Sequence, residues 1–366
     1  MRQAAAQAFL RFGANPGRGG YAMSMDTARE VYRVREAATR FFGAEDPSYV
    51  AFTENCTGAL NRAIGGLLRP GDRVTVSSLE HNAVMRPLTA LAEQGCTVDV
   101  ATVSPGDAEE TVRAFARTLT PKTRAIICTH ASNVTGEVLP IHAIGGLAAA
   151  RGIPFIVDAA QSAGILPINM QADHIDFLCL PGHKGLYGPM GTGLLCSSGR
   201  FPLRPIIRGG TGSRSSSFAQ PEEWPDSMES GTLNVPGILG LGAGIRWLGV
   251  QGVDRLYRSE LALTAQMAGR LQRVPGIRLY GPPVEVNRHV PLLSLTVDGM
   301  PSETVAERLG QAGIAVRAGL HCAPTAHRML GTQAEGTVRL APSAFTTPEE
   351  IDRTCRVLAR LAGSAK

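Results

Sequence analysis

The run CLPGHKGLYGPMGTG, Cys179 to Gly193, decides how this chain is read. Five of its fifteen residues are Gly and two are Pro, and both types interrupt regular structure, so the run is not helical. It follows an apolar, strand-like stretch, Ile175 to Leu180, and it carries one lysine, Lys184, with His183 beside it. A surface lysine is ordinarily a solvated charge. One set behind a buried strand and flanked by glycines is a candidate for chemistry.

Working outward, further apolar runs alternate with helical patterns: RVTVSS (Arg73–Ser78), TRAIICTH (Thr123–His130), IPFIVDAA (Ile153–Ala160) and HIDFLCL (His174–Leu180). This alternation predicts an α/β domain around a mainly parallel sheet, with ligand sites at the strand ends. PIHAIGGLAAARG has the length of one crossover helix. From about Ile238 the pattern changes to long helical stretches, then a short strand within Val290–Gly299 and a closing helix, which predicts a second α+β domain. The expected division is a large domain over residues 15–240 and a smaller one over 241–366, with residues 1–14 packing on the latter. Gly209–Thr232 is the one long polar, loop-like segment.

Bulk properties narrow the class. The 366 residues are 44% hydrophobic and carry a net charge of +5, without a dense Lys/Arg run, which gives nucleic-acid binding little support. No apolar run reaches the ~18 residues of a membrane span. The start lacks the apolar core of a signal peptide, so a cytoplasmic location is expected. Seven cysteines, an odd count without CxxC spacing, argue against a disulfide framework or a structural zinc site.

Several strand-end residues together suit a cofactor. Asp158, directly after an apolar run, reads either as a helix cap or as a carboxylate holding a protonated heteroaromatic nitrogen. The turn before the helix in FTENCTGALNRAIGGL, which includes Cys56 and Thr57, suits a phosphate, although Asn55 or Thr57 would equally cap that helix. His81 follows another strand. GPMGTG is not a dinucleotide fingerprint, and GHKG is not a Walker loop.

In chain order these residues resemble the fold-type I pyridoxal-phosphate enzymes, specifically the class V aminotransferase relatives. EHNAVMRP is similar to EHxxNxxP, with Val84 where that pattern has Asn; THASNVTGEVLPI is similar to SNxxGxxxP, and DAAQSAG matches closely. GHKGLYGPMGTG resembles GHKxxGPxGxG with one extra residue after the lysine, and SGTLNVPGILGLGAGI resembles the SGTxN stretch. VRAGLHCAP resembles the RxGxHCA loop of cysteine desulfurases, in the short form of the SUF-type group, and VRLAPSAFTTPEEID the Arg-bearing strand and helix behind it.

The resemblance implies a large domain with a mainly parallel seven-stranded sheet, and it implies roles. Lys184 would form the Schiff base and move protons at Cα. Asp158 would hold the pyridine nitrogen and Gln161 the phenolic oxygen, while His81 would stack on the ring and assist proton transfer. Cys56 and Thr57 with the adjoining amides, and His183, would hold the phosphate. Thr232 would reach in from a second subunit, making the protein a homodimer. Arg339 would grip the substrate carboxylate with Asn133 beside it. Cys322, near His321 and Arg317, would be a thiolate favoured by positive charge below the ordinary thiol pKa of ~8.5.

The implied reaction turns L-cysteine into L-alanine and leaves sulfur on Cys322 as a persulfide, to pass to an acceptor protein or thiol, as in iron–sulfur cluster assembly. A selenocysteine lyase or other C–S lyase, and a regulatory pseudoenzyme, are the competing readings. Two departures from the pattern carry expectations. The DNAAT-like opening segment, which helps line the substrate site in relatives, has no counterpart, which leaves substrate affinity open. Pro181 stands where relatives often have a phosphate-binding Ser, a lost contact worth ~1 kcal/mol.

Overall fold

The computed structural model describes residues 1–17 and 19–364. Seven strands form the main sheet: β1 (Val50–Thr53), β2 (Arg73–Ser77), β3 (Thr97–Ala101), β4 (Thr123–Thr129), β5 (Phe155–Asp158), β6 (Phe177–Pro181) and β7 (Gly193–Ser197). Their order is β1-β7-β6-β5-β4-β2-β3. The pairings from β6 through β3 are parallel, and β7 runs antiparallel to both its neighbours. The expected seven-stranded, mainly parallel sheet is present.

Helices α1 (Arg2–Arg11), α2 (Ala22–Phe42), α3 (Cys56–Leu67), α4 (Asn82–Ala92), α5 (Ala108–Thr118), α6 (Ile141–Arg151) and α7 (Val235–Gln251) belong to this half. Successive strand residues point to opposite faces. Ile126 and Cys128 therefore join one core cluster with Phe42, Phe115, Ile144 and Leu241, while Ala125 and Ile127 join a second with Leu60, Ile64 and Leu88. Because helices cover both faces, β5 and β6 are buried at every residue, which is why they read as unbroken apolar runs. Burying each large aliphatic side chain contributes roughly 1.5–3 kcal/mol.

The chain then forms α8 (Val253–Leu271), β8 (Ile277–Tyr280), β9 (Leu293–Val297), α9 (Ser302–Gln311), α10 (Pro324–Leu330), β10 (Val338–Leu340) and α11 (Pro348–Ser364). An antiparallel sheet, β10-β9-β8, packs with α8, α9 and α11 around Leu271, Leu295, Leu309 and Leu358. The expected division at 240/241 falls within α7, and the N-terminal helix α1 packs along that same helix. Residues 209–232 contain neither helix nor strand.

Candidate active site

The C-terminal ends of the parallel strands deliver side chains to one cleft. At the exit of β1, Asn55 has extended backbone and its Oδ1 accepts from Gly58 N at 2.9 Å, so Asn55 and not Thr57 caps α3. The amides that open α3 are left without intrahelical partners. The residues that open α3 line a cavity of about 100 Å³, with Cys56 and Thr57 joined there by His81, Asn133, Asp158, Gln161, Pro181, His183 and Lys184. An adjoining cavity of about 290 Å³ shares Gln161 and Lys184 and adds Tyr187, Glu260 and Arg339. Thr232 is exposed and lines neither; Cys322 also lines neither.

The lysine loop is held by close backbone packing. Gly188 N donates to Gly182 O at 2.7 Å, and Tyr187 N to Lys184 O at 2.9 Å. Gly164 has φ +80°, and a Cβ there would meet Gly185 O at 2.2 Å, so only glycine fits against this loop. Burial pushes the Lys184 amine below its ordinary pKa; Asp158 opposes that shift, and Arg339 and Arg317 reinforce it.

Asp158, at the end of β5, is buried. Its Oδ1 accepts from Ala160 N at 2.8 Å and lies 3.4 Å from the Cys56 thiol, while Oδ2 accepts no hydrogen bond among the described residues. The helix-cap alternative does not hold, since no helix follows β5 directly. His81 Nδ1 accepts from Ala83 N at 3.0 Å and caps α4, so in the neutral ring Nε2 carries the proton. Burial pushes the His81 pKa down, against the pull of Asp158, and burial followed by Lys184 does the same for His183.

Behind this wall Glu80 is fully buried, and its pKa is pushed up to about 8, chiefly by burial. Its Oε1 accepts from Ser77 Oγ and from Thr129 N.

Cys322 is set differently. It is the one cysteine that is only partly buried; the other six are buried. His321 and Cys322 both have left-handed backbone, φ 48° and 58°, which costs a non-glycine residue roughly 1–2 kcal/mol. Three hydrogen bonds hold the turn: Asn82 N to Cys322 O at 2.8 Å, Asn133 Nδ2 to His321 O at 2.7 Å, and the His321 ring at 3.0 Å from Thr337 O. Arg339 Nη1 donates to Asn133 O at 2.9 Å, and Arg317 pairs with Arg339 through the backbone. Asn133 thus joins the cavity wall, the half-buried Arg339 and the cysteine turn. Burial, followed by Arg317, lowers the Arg339 pKa.

The segment bearing Thr232 is anchored nearby by a buried ion pair, Arg35 to Glu229, whose carboxylate also accepts from Phe52 N. Reasoning from the sequence did not single out Asn82, Thr337 or Glu260. Asn82 acts through its backbone amide, which leaves no side-chain signal; Glu80 adjoins His81 in a quoted motif and was open to notice.

The aminotransferase class-V family model matches residues 2–354. A probable cysteine desulfurase of Methanothermobacter thermautotrophicus is 35% identical over 97% of this chain and 89% of its own length. A cysteine desulfurase of Salmonella agona is 31% identical over 98% of the chain and 89% of its own. Among solved structures, a cysteine desulfurase of Thermococcus onnurineus superposes with a TM-score of 0.92 at 29% identity, covering 99% of this chain and 91% of the other. One from Escherichia coli gives 0.87 at 26%, covering 99% and 92%.

Proposed function

The chain belongs to the aminotransferase class-V family, and from that footing we propose that it is a pyridoxal-phosphate-dependent cysteine desulfurase. It would take sulfur from L-cysteine, yield L-alanine, and carry the sulfur on Cys322. The observation that carries this reading is the partly buried Cys322 turn, tied through Asn133 and Asn82 to the cavity that holds Lys184.

The residues present fit the cofactor. Asp158 keeps Oδ2 without a partner in the cavity it lines, which suits a ring N–H, and the opening amides of α3 suit a phosphate. Cys56, Thr57 and His183 would stand at the phosphate, Gln161 at the phenolic oxygen and His81 over the ring. Pro181 lines the same cavity and offers no hydroxyl there. When bound, pyridoxal phosphate supplies an electron sink that loosens bonds at the substrate's Cα.

The chain's own groups do the rest. Lys184, whose amine pKa is lowered chiefly by desolvation, would move the Cα proton. Arg339 orients the substrate carboxylate: its Nη1 bond to Asn133 O fixes the plane of the guanidinium and leaves Nε and Nη2 to donate. The His81 Nε2–H stands ready to move a proton at the substrate. The Cys322 thiolate attacks the substrate Sγ; the Cβ–S bond breaks, its electron pair stays on Cβ and is protonated, and a Cys322 persulfide remains.

Thr232 would complete the site of a second subunit, so the active form is read as a homodimer with shared sites. The short turn between Arg317 and α10 supports the SUF-type group and an acceptor protein that collects sulfur for iron–sulfur cluster assembly. All seven cysteines are free, which supports a reducing compartment such as the cytoplasm. No helix is long and apolar enough to cross a membrane among the described residues. The division into a large domain and a smaller C-terminal one is likewise our reading, with α7 kept whole in the large domain.

Alanine and sulfide released from L-cysteine by the cofactor-loaded protein test this directly. Release of both in equal amounts under reductant is expected; no alanine from L-cysteine would overturn the reading.

A further inference from the structure

The extra residue in the lysine loop draws attention to Tyr187, three residues after Lys184. Its backbone is left-handed, φ 53°, a strained state for a bulky residue that persists only where its surroundings demand it. The phenol is held from two sides. It donates to Glu260 Oε1 at 3.1 Å, and it accepts from Ala344 N at 3.2 Å. Glu260 lies on α8 and is 2% exposed. Ala344 lies in the segment leaving β10, the strand that carries Arg339. The ring packs edge-on to Trp247 at 5.0 Å and to Phe345 at 5.6 Å.

One oxygen atom therefore joins three segments: the loop of Lys184, helix α8, and the exit of the Arg339 strand. Tyr187, Glu260, Lys184 and Arg339 all line the same cavity of about 290 Å³. Simple packing of two domains is served by the ring contacts, which need no hydroxyl. The hydroxyl adds a directional tie, and its two bonds use the donor and an acceptor of the phenol at once.

We propose that the Tyr187 hydroxyl, oriented by Glu260, is a positioning group that sets Arg339 at the right reach from Lys184. This rests on the reading of Arg339 as the carboxylate grip. Glu260 orients the phenol so that its lone pair meets Ala344 N, and Ala344 fixes the end of the strand behind Arg339. Loss of this register weakens the hold on the substrate carboxylate, which is gripped equally before and during the reaction. Such a loss raises KM and spares kcat.

The test uses Tyr187→Phe, which keeps the ring contacts and deletes both hydrogen bonds. In the loaded enzyme, KM for L-cysteine is expected to rise about tenfold with kcat within about twofold of wild type. In cofactor-free protein, the Ala344 amide is expected to exchange with deuterium about tenfold faster. Glu260→Gln keeps an acceptor for the phenol and should restore both values to within about threefold, whereas Glu260→Leu should behave like Tyr187→Phe. Unchanged KM and unchanged exchange in Tyr187→Phe would overturn the proposal, as would a fall in kcat at constant KM. If wild-type protein makes no alanine from L-cysteine, the desulfurase reading falls instead, and Ala344 exchange still decides whether the hydroxyl ties the strand exit.

Discussion

Lys184 stands on a loop locked between glycines at the end of a fully buried strand, whereas Cys322 stands on a partly open turn with two left-handed residues in succession. The first environment has its backbone closely packed while Lys184 and His183 open onto the cavity, and the pKa values of Lys184, His81 and His183 are shifted downward chiefly by desolvation. The second is held by three hydrogen bonds to its carbonyls and its histidine ring. The contrast fits a division of labour. Proton transfer at Cα gains from fixed geometry, while a sulfur that must leave the protein needs a carrier within reach of an acceptor.

Three substitutions should break the comparison at different points. Lys184→Ala removes the Cα base and should lower alanine release at least ~1,000-fold while the fold persists, as read by steady-state assay and circular dichroism. Cys322→Ser should lower alanine release from L-cysteine about 100-fold, because a serine hydroxyl is a poor nucleophile toward sulfur. That variant should keep its cofactor and still change its absorbance when L-cysteine is added, which separates the two halves of the site. L-selenocysteine, with its better leaving group, should restore part of the turnover. Asn133→Ala deletes the side-chain bond that joins the two halves, and should cost about tenfold in persulfide formation on Cys322 with cofactor retained.

The smallest effects concern stability against pH, and they run in opposite directions at the two ends. Glu80, behind the cavity, has its pKa raised from 4.5 to about 8. The native state holds the extra proton between those values, so this group's contribution declines as pH rises through that range. Glu80→Gln should flatten the fall in denaturant midpoint between about pH 6 and 8. His321, beside the cysteine, has its pKa pushed down to about 3 from 6.5, mainly by burial. There the unfolded chain takes up the proton first, so stability is lost as pH falls below 6.5, and His321→Gln should lessen the acid loss.

Much of the cavity side was legible in the sequence, because β2, β4, β5 and β6 are buried runs and their motifs follow directly at the strand ends. The edge strand β3 was not singled out. It has five residues and only Ala101 is fully buried, so its apolar signal is faint. The cysteine turn announced itself through HCAP, but its supports did not. Asn82 and Ala344 act through backbone amides, and any residue but proline supplies one. The partnership of Tyr187 with Glu260 spans 73 positions, which no local pattern records.

The central claim is that sulfur leaves the substrate onto Cys322. The most direct measurement is the mass of the Cys322-containing peptide after the loaded protein meets L-cysteine without reductant. One added sulfur atom on that peptide, absent from Cys322→Ser and removed by dithiothreitol, is the expected result. Alanine formed by Cys322→Ser at the wild-type rate, with no sulfur on the wild-type peptide, would contradict the account.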